Sequence, residues 1–193
     1  MILTFLTALL LLTSPAWAAP IDDAAAAYAR GDYAAALRIT RPLAAKGEAW
    51  AQSNLGFMYS KGQGVEKNDA EAVKWFRLAA TQRDALGQSN LGLVYANGQG
   101  VVQDYAEAVK WYRLAAAQGL AKAQSNLGAM YGKGQGVPMD DVRAHMWFNL
   151  AALKGNAKAV QNRDIIAKLM TPQQTAEAQK LARECQARNF KGC

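Results

Sequence analysis

Few residues in this chain could do chemistry, and most of those recur in copies. The one histidine, His145, could serve as a general base, or it could simply pack on a helix. Ser53, Ser89 and Ser125 are hydroxyl nucleophiles by type. A nucleophile needs one activated copy beside a base, and three equivalent copies argue against that role. Gly-Gln-Gly at Gly62–Gly64, Gly98–Gly100 and Gly134–Gly136 offers backbone of the kind that cradles phosphate, but the Lys-Ser/Thr of a phosphate loop is missing. Cys185 and Cys193 have no histidine or second cysteine pair at zinc spacing. The expectation is a protein with no catalytic residue, no metal and no cofactor.

What organises the chain is a repeat. Gln-Ser-Asn-Leu-Gly stands at Gln52–Gly56, Gln88–Gly92 and Gln124–Gly128. Gly-Gln-Gly-Val stands at Gly62–Val65, Gly98–Val101 and Gly134–Val137. Trp75, Trp111 and Trp147 follow, each ahead of an Ala-Ala pair, and every offset is 36 residues. A period of this size belongs to a stacked array in which no unit buries its apolar face alone.

Each unit reads as two helices. The first spans Glu48–Tyr59, Asp84–Tyr95 and Leu120–Tyr131, with Leu55 and Tyr59 and their copies four apart on one face. Gly56, Gly92 and Gly128 inside it cost about 1 kcal/mol each against Ala. Their recurrence points to a neighbouring helix too close for a Cβ. The second helix starts at Asn68, Asp104 and Asp140, all good N-caps, and Glu71 and Glu107 complete a capping-box pattern. Ahead of the regular units, residues 19–47 form a divergent opening pair broken at Gly31 and capped again at Asp32. After Asn156 the register drifts, and Thr171-Pro172-Gln173-Gln174 announces a closing helix to about Arg188. The expected fold is all-α, about ten helices in five antiparallel pairs, divided 19–47, 48–83, 84–119, 120–155 and 156–193.

Of the 193 residues 51% are hydrophobic, enough for a packed helical core, and the net charge is +7. The excess gathers from Lys154 onward. Without any base-stacking pattern it reads as a solvated surface, so no nucleic-acid partner is expected. Residues 1–18 read as a secretory signal peptide. Ile2 to Leu12 is an apolar run too short to span a bilayer comfortably, and Ala16-Trp17-Ala18 places small residues for cleavage before Ala19. No Lys or Arg precedes the run, and an uncleaved anchor is the alternative. The mature protein is expected to be periplasmic or secreted, monomeric, and without stable membrane insertion. In an oxidising compartment Cys185 and Cys193 read as a disulfide that ties the last helix to the tail.

Leu-Gly-x-x-Tyr (Leu55 to Tyr59 and its copies), Gly-x-Gly-Val, the Asn or Asp after the loop, Ala-x-x-Trp (Ala72 to Trp75 and its copies) and Ala-Ala together resemble the Sel1-like repeat family. That family is a relative of the tetratricopeptide repeat with a longer inter-helix loop. The likeness covers nearly all of the chain beyond the leader, and Met170 to Arg183 is similar to the closing helix of bacterial members. The resemblance implies a right-handed α-solenoid acting as a non-catalytic adaptor in protein assemblies. Some exported members act in envelope biogenesis or host interaction. A cysteine-rich subset linked to β-lactams implies the alternative, an enzyme acting on β-lactams or peptidoglycan. That subset carries a cysteine pair in every repeat, and here the repeats have none.

In the related tetratricopeptide geometry the first helices line the concave face. Helical spacing then brings Trp50, Ser53 and Phe57 together, followed by Leu86, Ser89 and Leu93, then Lys122 and Ser125, with Lys158 beyond. The leading position passes from Trp50 and Leu86 to Lys122 and Lys158, apolar to basic. Such a face suits a protein or peptide with an apolar anchor and an acidic end. Asn54, Asn90, Asn126 and Asn162 form a ladder with two roles open, bonding the neighbouring helix or meeting a ligand. Phe57 and Leu93 likewise fit either the groove or the core between units.

Overall fold

The computed structural model describes residues 18–193; the apolar run of the expected signal peptide lies outside the described residues. From Ala18 the chain forms ten helices and, among the described residues, no strand. They are α1 (Ala18–Ala29), α2 (Tyr33–Ala45), α3 (Ala49–Lys61), α4 (Asp69–Thr81) and α5 (Ala85–Asn97), then α6 (Tyr105–Ala117), α7 (Ala121–Lys133), α8 (Asp141–Ala152), α9 (Ala157–Ala167) and α10 (Pro172–Ala187). Within units α3 packs on α4, α5 on α6 and α7 on α8, and each second helix then packs on the next first helix. The result is a solenoid of stacked helix pairs.

Local chemistry sets the boundaries. The first helices run two residues past Tyr59, Tyr95 and Tyr131 and stop where a left-handed residue is required. Gly98 takes φ 67 as the C-cap of α5, and the Gln99 N–H returns to the Val94 carbonyl at 3.0 Å. A side chain there would be strained. Inside the helices, a Cβ on Gly56 or Gly128 would lie 2.7 or 2.9 Å from the ring of Phe76 or Phe148, which accounts for glycine at these positions.

The second helices begin at the expected N-caps. The side chains of Asn68, Asp104 and Asp140 accept from the backbone N–H three residues on. The reciprocal half of the capping box does not form in α4 and α6. The N–H groups of Asn68 and Asp104 already donate to the carbonyls of Tyr59 and Tyr95, so Glu71 and Glu107 turn forward and pair with Lys74 and Lys110. Among the described helix starts the complete box forms at α10, between Thr171 and Gln174.

The glutamine that opens each Gln-Ser-Asn-Leu-Gly stretch joins one unit to the next. Buried Gln88 donates from Nε2 to the Ala80 carbonyl at 3.2 Å and accepts on Oε1 from Gln118 Nε2 at 2.8 Å. Gln52 does the same with Ala44 and Gln82. In the third unit Gln124 keeps the bond to Ala116, but Lys154 stands where the partner glutamine should be. Its ammonium donates to the Gly119 carbonyl and lies 4.5 Å from the Phe190 ring centroid. Gln124 Oε1 is left buried without a partner.

The end of the solenoid departs from the expected fifth pair: α10 packs chiefly on α8, not on α9. Sequence differences on α8 explain this. Met146 and Leu150 are buried with Ala182 and Cys185 of α10 in one cluster, whereas the equivalent positions of α4 and α6 carry exposed Lys74 and Lys110 with Leu78 and Leu114 (41% and 50% exposed). An apolar outer face draws a covering helix, and a charged one stays in water. Beyond α10 the expected disulfide Cys185–Cys193 is present, with Cα atoms 5.7 Å apart. It holds a tail that folds Phe190 over Gly119.

Candidate functional site

The largely apolar hollow of the molecule is a cavity of about 350 Å³ on the side of the first helices. Six of the expected surface residues line it: Ser53, Asn54 and Phe57 from α3, Leu86 and Asn90 from α5, and Lys122 from α7. Helical spacing thus collects side chains from three units, and their convergence requires the stack to curl. Lys122 is the one charged residue in the lining, and none of the ion pairs among the described residues includes it.

Helix α1 supplies a wall that the sequence reading left out, through Ile21, Ala24, Ala25 and Tyr28. The signal was present, because these positions follow i, i+3, i+4, i+7 spacing. The Tyr28 hydroxyl donates to Gln63 Oε1 of the first Gly-Gln-Gly loop at 2.5 Å, and its ring lies 6.3 Å from that of Phe57. Whereas α3 stacks directly on α5, α1 meets the array through α2, and the cavity occupies the seam between α1 and α3.

Other expected residues lie elsewhere. Trp50 does not line the cavity; it packs half-buried on Ala44, Ala51 and Leu55, where its large apolar area finds the junction with α2. Ser89 and Ser125 are interior, at 1% and 8% exposure, and Ser53 is only 2% exposed though it borders the cavity. A side chain this small is overtopped by its neighbours, so a place on the concave side does not bring it to the surface. The Ser53 hydroxyl donates to the Trp50 carbonyl at 3.0 Å. Leu93 packs partly buried on the core. Asn126 faces the Tyr112 hydroxyl, whose ionisation burial pushes above the ordinary tyrosine range. Lys158 is exposed on α9 and is not part of the lining.

His145 is 3% exposed, and its Nδ1 has no hydrogen-bond partner. Burial pushes its pKa down, and the neighbouring Arg163 cation adds to the shift. It stands on α8, apart from the cavity, and is not part of its lining.

Three consecutive stretches, residues 51–84, 85–120 and 121–156, match the profile of the Sel1 repeat. The chain belongs to the Sel1 repeat family. A Sel1 repeat protein from Oxalobacter formigenes is 34% identical with a TM-score of 0.70, over 77% of this chain and 61% of that one. A protective antigen of uropathogenic Escherichia coli strains, c5321, which displays an SLR fold, is 30% identical with a TM-score of 0.61, over 81% of this chain and 42% of that one. This chain therefore spans less than two thirds of either relative. Among curated proteins none matches. Sel1 repeats typically mediate protein–protein interaction, and in this chain three Sel1 units carry their first helices around one apolar hollow.

Proposed function

We propose that this Sel1 repeat protein is an exported, non-catalytic adaptor that holds part of a partner protein against its concave face. The observation that carries the reading is the convergence of Phe57, Leu86, Asn54, Asn90 and Lys122, from three separate units, on one cavity. An apolar side chain of the partner would be anchored at Phe57 and Leu86, with an acidic group toward Lys122. Buried anchors dominate such contacts, while rim charges set approach and salt dependence. Export is supported by the tail disulfide and by the leader-like start of the sequence. In addition, no described helix is long and apolar enough to cross a membrane.

Affinity capture from an envelope extract tests the reading. Phe57→Ala should lose the partner at any salt, with some fall in melting temperature because the Phe57 ring also packs on the cluster of Phe76 and Leu91. Lys122→Glu should lose it chiefly at low salt, with melting unchanged. Trp50→Ala should lower the melting temperature while the folded fraction still captures. If Lys74→Glu and Lys110→Glu abolish capture instead, the partner sits on the outer helices and the groove reading fails. A purified protein whose N-terminal mass still includes Met1 counts against export.

A further inference from the structure

The cavity walls offer little that a polypeptide backbone could use. From Ile21, Ala24 and Tyr28 on one side to Phe57, Met58 and Leu86 on the other, the lining is apolar. The Tyr28 hydroxyl donates to Gln63 and that of Ser53 to the Trp50 carbonyl, so away from Asn54, Asn90 and Lys122 the remaining polar group in the wall is the Thr40 hydroxyl. An extended peptide pressed to the bottom would strand its N–H and C=O groups away from water. A hydrocarbon chain has no such groups.

Polar character is concentrated on the successive first helices, at Asn54, Asn90 and Lys122. These supply two amides and one ammonium, and no carboxylate lines the cavity. Such a set is short of negative charge and rich in donors. One cation matches a singly charged, planar carboxylate head better than a dianionic phosphate. A cavity of about 350 Å³ lies within the roughly 300–1,000 Å³ range of small-molecule pockets, so a short single-chain amphiphile is the size class to test.

We propose that the seam between α1 and α3 binds a single-chain amphiphile with a carboxylate head, its hydrocarbon against Ile21, Tyr28 and Phe57 and its carboxylate at Lys122. The site shares Phe57 and Lys122 with the surface proposed for the partner protein, so the two ligands would compete for it. It rests on the cavity lining alone, and decanoate binding is read without any partner present, so failure to capture a protein leaves it standing.

The test is calorimetric titration of the purified protein with decanoate below its micellar range, with decanol and decylamine as comparison ligands. Decanoate should saturate one site and bind at least about tenfold more tightly than decanol, the difference expected for one charge-assisted hydrogen bond. Decylamine should bind more weakly still. Lys122→Met should bring decanoate and decanol to parity while decanol affinity holds. Ala25 is exposed on α1 and Leu86 is 48% exposed, so Ala25→Trp or Leu86→Trp can fill the cavity without entering the core, and either should abolish binding. The proposal is overturned if decanol binds the unmodified protein as tightly as decanoate. It is equally overturned if binding does not saturate near one site, or if both tryptophan variants bind decanoate normally.

Discussion

Gly92 on α5 lies so near Tyr112 on α6 that a Cβ added to it would come 2.8 Å from the ring. Alanine is the better helix former by about 1 kcal/mol, but overpacking a filled interior costs about 1–3 kcal/mol. Gly92→Ala should therefore lower the melting temperature by a few degrees. Gly132, also helical, would place a Cβ no closer than 3.4 Å to any neighbour, so Gly132→Ala should be neutral or stabilising. Thermal denaturation of the two variants separates helix propensity from close approach. Equal behaviour would contradict the account.

The glutamine bridge between units makes a second prediction. Removing Gln118 leaves Gln88 Oε1 buried without its donor, and an unpaired buried acceptor costs about 1–3 kcal/mol. Gln118→Ala should lose that amount in urea unfolding. Gln88→Leu combined with Gln118→Ala should lose less than the sum of the single changes, because the two residues form one bond. Additive losses would show that the bridge carries no coupling.

Reduction of Cys185–Cys193 should loosen the tail. The bonded residues are 8 apart in sequence, and closing so short a loop stabilises by about 2–3 kcal/mol in the chain-entropy model. A reducing agent, or Cys193→Ser, should lower the melting temperature. Phe190→Ala should lower it by less, through loss of the contact with Lys154, and little further once the disulfide is already reduced. A melting curve unaffected by reductant would mean the tail contributes nothing to the cap.

The pH dependence follows from His145. Its folded-state pKa is lowered by burial, then by the Arg163 cation, with Asp164 opposing, while the unfolded chain keeps a value near 6.5. Above about pH 6.5 both states carry a neutral imidazole and stability is unaffected. As pH falls below this value the unfolded state takes up the proton first, so stability declines until the folded-state pKa is reached. Val73 and Val109 occupy the equivalent positions. His145→Val should flatten the urea midpoint between pH 8 and pH 5.5, and an unchanged slope would assign the dependence to another group.

The sequence by itself determined the architecture of the middle of the chain. The 36-residue offsets mark three equal units. Glycine at Gly56, Gly92 and Gly128 marks the close crossings, and Asn68, Asp104 and Asp140 mark where helices start. The caps are local, decided within a few residues. The glycines report a crossing that the repeat copies unchanged from unit to unit, so the pattern shows in the sequence although the contact is tertiary. Tertiary structure decided what depends on which surfaces meet. Phe57 and Lys122 lie on helices α3 and α7, and only the curl of the stack brings them, with the α1 wall, to one hollow. Trp50 sits at a groove-like position by periodicity, but its area is taken by Ala44 and Leu55 across the junction with α2. The cap turned onto α8 because Met146 and Leu150 replaced the exposed positions of earlier units, and α8 has an outer face to bury where α4 and α6 have charges to hydrate.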